Sequence, residues 1–322
     1  MRARLMAAFF SGGTALKISI VGLGHVGSTL AYALVLQGLA TELVLVDKSA
    51  DRARGDALDL AHSMSFCSSS GLVRAGGLED TAGSDILVLA LSVPRLPSMK
   101  ERSDLAAGNR ALYRECLPAL ARLSPEARLV VITNPVDAMT WWAIEDSGFP
   151  SSRVMGIGTL VDSARFRMEL SRIYAIHAED IRAYVLGEHG PTQFAALSAA
   201  SSGGEPIGDR ALAEELLARQ AASAGEIIAA KGYTNFAIAS GTAMVLESVV
   251  RDRHRTIPVS VRLEDYLGVS GVCLTVPCVL GAGGVERILK PRLDAEELAA
   301  FRRSAEAVAA LIASVPGVGF PG

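Results

Sequence analysis

The residues best equipped for chemistry lie in the second half of the chain. His189 sits in Gly187-Glu188-His189-Gly190, a glycine-flanked turn after the apolar run AYVL. Imidazole is the side chain whose ordinary pKa lets it give and take a proton near neutrality. Of the other histidines, His62 lies in a helix-like run and His177 and His254 in charged segments. His25 falls at a variable place of a glycine loop and is assigned no chemistry. Asp162 and Arg165 are three residues apart in a helical stretch, hence on one face. A carboxylate there could orient an imidazole, and a guanidinium could grip a substrate carboxylate through two parallel hydrogen bonds. Asn134 ends the apolar run ARLVVITN just before Pro135, where it could hydrogen-bond a substrate. Together these side chains offer a proton for a ketone oxygen and a cation for a neighbouring carboxylate, the needs of a 2-oxo acid undergoing reduction. By spacing alone, a surface histidine, an intrahelical ion pair and a turn asparagine would look the same.

A hydride source is the missing part, and the first half supplies a place for one. Gly22-Leu23-Gly24-His25-Val26-Gly27 has GxGxxG spacing, follows the apolar run KISIV and opens a helical pattern. Gly22 suits a tight turn, Gly24 the close approach of a pyrophosphate, and Gly27 tight packing of helix on strand. The N–H groups at such a helix start favour phosphate. Asp47 closes the next apolar run, ELVLVD, twenty residues after Gly27. A carboxylate at that place accepts the ribose hydroxyls of NAD and repels the 2′-phosphate of NADP.

Positioning these residues takes a parallel sheet. KISIV, ELVLVD, DILVLALSV and ARLVVITN alternate with helix-length segments, as in STLAYALVLQ, which Gly38 stops. Uniformly apolar strands alternating with helices mean a sheet covered on both faces. The spacing predicts an α/β fold: a Rossmann-type parallel sheet over 17–155, then a mixed α+β substrate domain over 156–322. In the latter, helices are expected over 212–231, 233–250 and 295–312 and strands around Pro258 and Val276. Residues 1–16 read as an N-terminal arm. The 322 residues are half hydrophobic and carry a net charge of -3, which gives no reason to expect nucleic acid or an anionic membrane as partner. No apolar run reaches the roughly 18–20 residues that span a bilayer. Cys67, Cys116, Cys273 and Cys278 show no metal-ligand spacing, so no metal is expected and buried thiols in a reducing, cytoplasmic setting are.

From Lys17 to Ile312 the ordered motifs resemble the lactate/malate dehydrogenase family. They are GLGHVGSTLAYAL with LVLVD, VITNPVDAMT, GTLVDSARFR, LGEHG, KGYTNFAIA and LTVPCVLGAGGVERIL. The resemblance implies NAD as cofactor, held by Gly22, Gly24, Val26, Gly27, Asp47 and Asn134. It implies His189 as general acid and base paired with Asp162, Arg165 on the substrate carboxylate, Asn134 near the reacting oxygen and Thr234 lining the pocket. Arg102 would swing in on a loop to polarise the ketone. That loop, PRLPSMKERSDL, departs from the family by one extra residue. Counting from the preceding strand puts Arg95 at the position that separates substrates, as in malate enzymes. Counting back from Arg102 puts Leu96 there, which suits a larger apolar acid. GEHG, GIGT, KGYT and DLAHSMSF resemble lactate enzymes, so an L-lactate dehydrogenase activity is expected, with malate or a bulkier 2-oxo acid as alternatives. Pro191 replaces the acid usual after His-Gly, which puts the shape of that turn in question. Arg167 and Arg182 fall where bacterial relatives bind an activating sugar bisphosphate, and the family implies a homo-oligomer, a tetramer or dimer.

Overall fold

The computed structural model describes residues 16–67, 71–94 and 105–315. Arg95, Leu96, Arg102 and, save for Leu16, the N-terminal arm lie outside the described residues.

The first half alternates strand and helix: β1 (Lys17–Val21), α1 (His25–Gln37), β2 (Glu42–Val46), α2 (Ala50–Ser63), β3 (Leu72–Ala75), β4 (Ile86–Leu89), α3 (Ala106–Leu123), β5 (Arg128–Val131), α4 (Val136–Ser147) and β6 (Val154–Gly156). All six strands pair in parallel, in the order β3-β2-β1-β4-β5-β6. Ile18, Ile20, Val44, Leu45, Leu87, Val88, Leu129 and Val130 are fully buried, as strands covered on both faces require. Order reverses between β1 and β4, which opens a crevice at the carboxyl ends of these strands. Gly38, in the left-handed region at φ 58°, stops α1 as its sequence position predicts.

The second half contributes α5 (Leu160–Tyr174), β7 (Ile181–Arg182), β8 (Val185–Leu186), β9 (Phe194–Ala195), β10 (Ser201–Ser202), β11 (Glu205–Pro206), α6 (Arg210–Lys231), α7 (Phe236–Val250), β12 (Arg255–Arg262), β13 (Cys273–Gly281), β14 (Gly284–Ile288) and α8 (Ala295–Ser314). It does more than rest against the parallel sheet. The antiparallel strands β12, β13 and β14 extend that sheet beyond β6, joined through Ser260 opposite Gly156. One hydrophobic core therefore runs from Ile18 to Val315, with a smaller one around Phe166, Leu170 and Leu216. α7 begins at Phe236, later than the predicted 233, because Gly232 ends α6 at φ 85° and a turn follows. Among the described residues, no helix is long and apolar enough to cross a membrane, and all four cysteines are free.

Candidate active site

Each glycine of the loop meets a different constraint. Gly22 has φ 100°, and a Cβ there would fall 2.4 Å from the backbone nitrogen of Leu91. A Cβ on Gly27 would fall 2.0 Å from the carbonyl oxygen of Gly22, so only glycine lets α1 start this close to β1. A Cβ on Gly24 would meet nothing within 4 Å. That open side is the space a phosphate needs. Gly24 caps α1 without a side-chain hydrogen bond, and no acid stands in the first turn. The helix start therefore keeps its N–H groups and positive dipole end for an anion. Val26 is half-buried in that turn. Asp47 lies at the same rim: its carboxylate accepts the N–H of Leu23 at 2.8 Å and of Ser49 at 2.9 Å. Asn134 borders the crevice from the end of β5. Its carbonyl accepts from Asn109 Nδ2 at 2.6 Å, while its buried side-chain oxygen has no hydrogen-bond partner among the described residues. An orphaned buried acceptor beside an open helix start fits a polar ligand such as a dinucleotide.

The histidine turn reaches this crevice through several ties. Gly187, at φ 91°, bridges to Thr275 on β13, and a Cβ there would strike Ser304 Oγ at 2.4 Å. Ser304 in turn donates to the carbonyl of Thr192 at 2.8 Å. On the other side, Thr159 and Ser163 both donate to the carbonyl of Val185, at 2.5 and 3.1 Å. The first turn of α5 is thereby stitched to β8, which leads into His189. That is why Asp162 and His189 meet: Nδ1 lies 2.9 Å from Asp162 Oδ2, with both side chains largely buried. Arg165 Nη1 lies 3.5 Å from the other Asp162 oxygen. Imidazole, carboxylate and guanidinium form one cluster. Pro191 is exposed, and the turn around it is tied by Thr192, which donates to Glu188 at 2.5 Å.

Asp137 carries a role that the sequence reading missed. It stands on the first turn of α4, three residues after Asn134, and is buried. Its Oδ2 accepts the backbone N–H of His189 at 2.7 Å, and its Oδ1 accepts the Ser260 hydroxyl at 2.6 Å. Burial pushes this carboxyl up to about 6, against the pull of those two donors. Asp137 thus fixes the backbone of the histidine turn beside the end of β5. Asn109 was missed as well; it is fully buried and ties Val93 to Asn134. Neither residue carries a spacing signal, since the partners lie 16 to 123 residues away.

The other predicted residues fall apart from this cluster or on its edge. Thr234 is half-buried in the turn between α6 and α7. Arg167 donates to the carbonyl of Ala183 at 3.3 Å and Arg182 to that of Glu179 at 3.0 Å. Burial, reinforced by repulsion from Arg182, lowers the pKa of Arg167, so the two guanidinium groups sense one another.

A dinucleotide crevice at the switch point of a parallel sheet, with an imidazole–carboxylate–guanidinium cluster tied to the helix that starts at the end of β5, points to an NAD-dependent oxidoreductase of 2-hydroxy acids. Comparison with known proteins agrees. Residues 16–156 match the NAD-binding domain of lactate/malate dehydrogenases, and residues 159–315 match their alpha/beta C-terminal domain. The chain is 38% identical over 306 residues to an L-lactate dehydrogenase of Thermoanaerobacter sp. (strain X514), covering 92% of this chain and 98% of that one. An L-lactate dehydrogenase of Acetivibrio thermocellus is 37% identical, with 92% and 96% covered. The crystal structure of a minor L-lactate dehydrogenase from Enterococcus mundtii superposes with a TM-score of 0.89 at 31% identity, covering 94% of this chain and 98% of that one. The chain belongs to the lactate/malate dehydrogenase family.

Proposed function

We propose that the protein is an NAD-dependent L-lactate dehydrogenase, interconverting pyruvate and L-lactate. The observation that carries this reading is the His189–Asp162 pair, with Arg165 one turn further along α5 and the His189 N–H tied to Asp137, three residues after Asn134. The relatives compared above are all L-lactate dehydrogenases, which favours lactate over malate or a bulkier acid.

In this reading Asp162 holds Nδ1 of His189, which leaves Nε2 to give its proton to the ketone oxygen of pyruvate and to recover it from lactate. Asp162 also stabilises the imidazolium that forms. Arg165 grips the substrate carboxylate and Asn134 the reacting oxygen, while Thr234 lines the pocket. By the resemblance Arg102 polarises the ketone, and the position that separates substrates falls to Arg95 or Leu96 according to the register of the loop. NAD supplies or takes the hydride when it is bound. Gly22, Gly24, Val26, Gly27, Asp47 and Asn134 hold it, within a dinucleotide domain of residues 17–155 that faces a substrate domain of 156–322. Arg167 and Arg182 would pair with a sugar bisphosphate, relieving their mutual repulsion. A cytoplasmic homo-oligomer completes the proposal.

The test is kcat/KM with NADH for pyruvate, oxaloacetate and 2-oxoisocaproate. Pyruvate is expected to give the highest value. A higher value for oxaloacetate would replace lactate by malate, and no turnover with any of the three would remove the reading.

A further inference from the structure

His25 is exposed on the first turn of α1, in the fourth place of the glycine loop. Its ring lies flat against that of Tyr233, with centroids 3.5 Å apart and planes within 2°. Tyr233 belongs to the turn between α6 and α7, immediately before Thr234. The Lys231 ammonium covers the same phenol at 4.7 Å and the Phe236 ring at 3.8 Å. Lys231 also donates to Asn235 Oδ1 at 2.5 Å. Asn235, on the far side of Thr234, donates through Nδ2 to Thr29 Oγ1 at 2.7 Å, and that hydroxyl donates to the carbonyl of His25 at 2.6 Å. Both neighbours of Thr234 are therefore fastened to the first five residues of α1, one by ring stacking on His25 and one by a hydrogen bond to Thr29.

We propose that His25 and Tyr233 are positioning residues, a latch that sets Thr234 in the substrate pocket from the dinucleotide loop. The inference rests on the reading of Thr234 as a pocket residue. The latch works through side chains only. Replacing the imidazole leaves the N–H groups of α1 where they are, so dinucleotide affinity should not follow. The stack is solvent-exposed on the His25 side, so its loss should cost the fold little. What it should change is how well the 232–235 turn is held.

The experiment compares His25→Ala and His25→Phe with the wild type in kcat, KM for pyruvate and Kd for NADH by fluorescence titration. His25→Ala should raise KM roughly two- to tenfold, the range expected for losing one aromatic pair. Its kcat and NADH Kd should stay within about twofold of wild type, since transition-state and dinucleotide contacts are untouched. His25→Phe keeps a flat ring and should return KM to the wild-type value. An unchanged KM in His25→Ala, a KM and Kd that rise together, or failure of Phe to restore KM would each overturn the proposal. If the wild type does not turn over pyruvate, the lactate reading fails by itself. The latch is then read from amide hydrogen exchange across 232–235, which His25→Ala should accelerate and His25→Phe should not; equal protection in all three would overturn it.

Discussion

The glycine loop and the histidine turn both place a short glycine-bounded segment at a strand end, but they are built in opposite ways. The backbone of the loop is held mainly from within its own half of the chain. Gly22 and Gly27 constrain each other at van der Waals range, and Asp47 reaches the loop directly from the neighbouring strand. The histidine turn owns almost none of its supports. Its backbone hangs from Asp137 on α4, Thr275 on β13 and Ser304 on α8, and its imidazole is matched to Asp162 on α5. The backbone of a binding loop can thus be held by near neighbours in the chain, whereas the histidine turn draws its rigidity from the whole fold.

The sharpest way to break that comparison is to remove the proposed proton carrier. His189→Asn should lower kcat by about 10²–10⁴-fold, the usual worth of general acid catalysis, while the NADH Kd stays at its wild-type value. A loss below tenfold would demote the turn to a structural element. Next comes the support that crosses between the halves. The Asp137 carboxyl titrates at about 6 in the folded protein, against an ordinary 3.8. The folded state therefore holds this proton more tightly than the unfolded chain. Its contribution to stability is complete below pH 3.8 and is lost as pH rises toward 6. In urea unfolding between those limits, the wild type should lose up to about 3 kcal/mol that Asp137→Asn does not. Parallel pH profiles for the two proteins would show that burial has not moved this group. The smallest effects separate the glycines. Gly27→Ala should destabilise by roughly 1–3 kcal/mol through overpacking, read as a lower Tm. Gly24→Ala should leave Tm alone and weaken NADH, because its Cβ enters only the space left for phosphate. If both variants behaved alike, the division of labour within the loop would be wrong.

The same contrast explains what the sequence could tell. The parallel sheet was legible because its strands are continuous apolar runs separated by helix-length segments, and the loop because its signals are consecutive. His189, Asp162, Arg165 and Asn134 could be named from residue type and resemblance. The resemblance also paired His189 with Asp162, but what fixes that pair could not be read, since it depends on Thr159 and Ser163 gripping β8 across more than twenty residues. Asp137 was invisible for the same reason: an aspartate early in a helix looks like an ordinary favourable charge at a positive dipole end. Periodicity shows where strands are, not which strands share a sheet. The pairing of Ser260 with Gly156, which makes nine strands into one sheet, left no local mark. His25 shows the opposite failure. Its position in the motif suggested indifference, and only the fold brings Tyr233 to its face.

That single join between β6 and β12 bears on any attempt to take the molecule apart. A fragment cut after Gly156 would keep its glycine loop intact yet expose the outer hydrogen-bonding groups of β6, with Val154 and Met155 stripped of their cover. A raw apolar border of that kind invites another chain to add itself. Grafting the nucleotide-holding half elsewhere would therefore call for a replacement neighbour along that border, or for charges set there to keep other strands away.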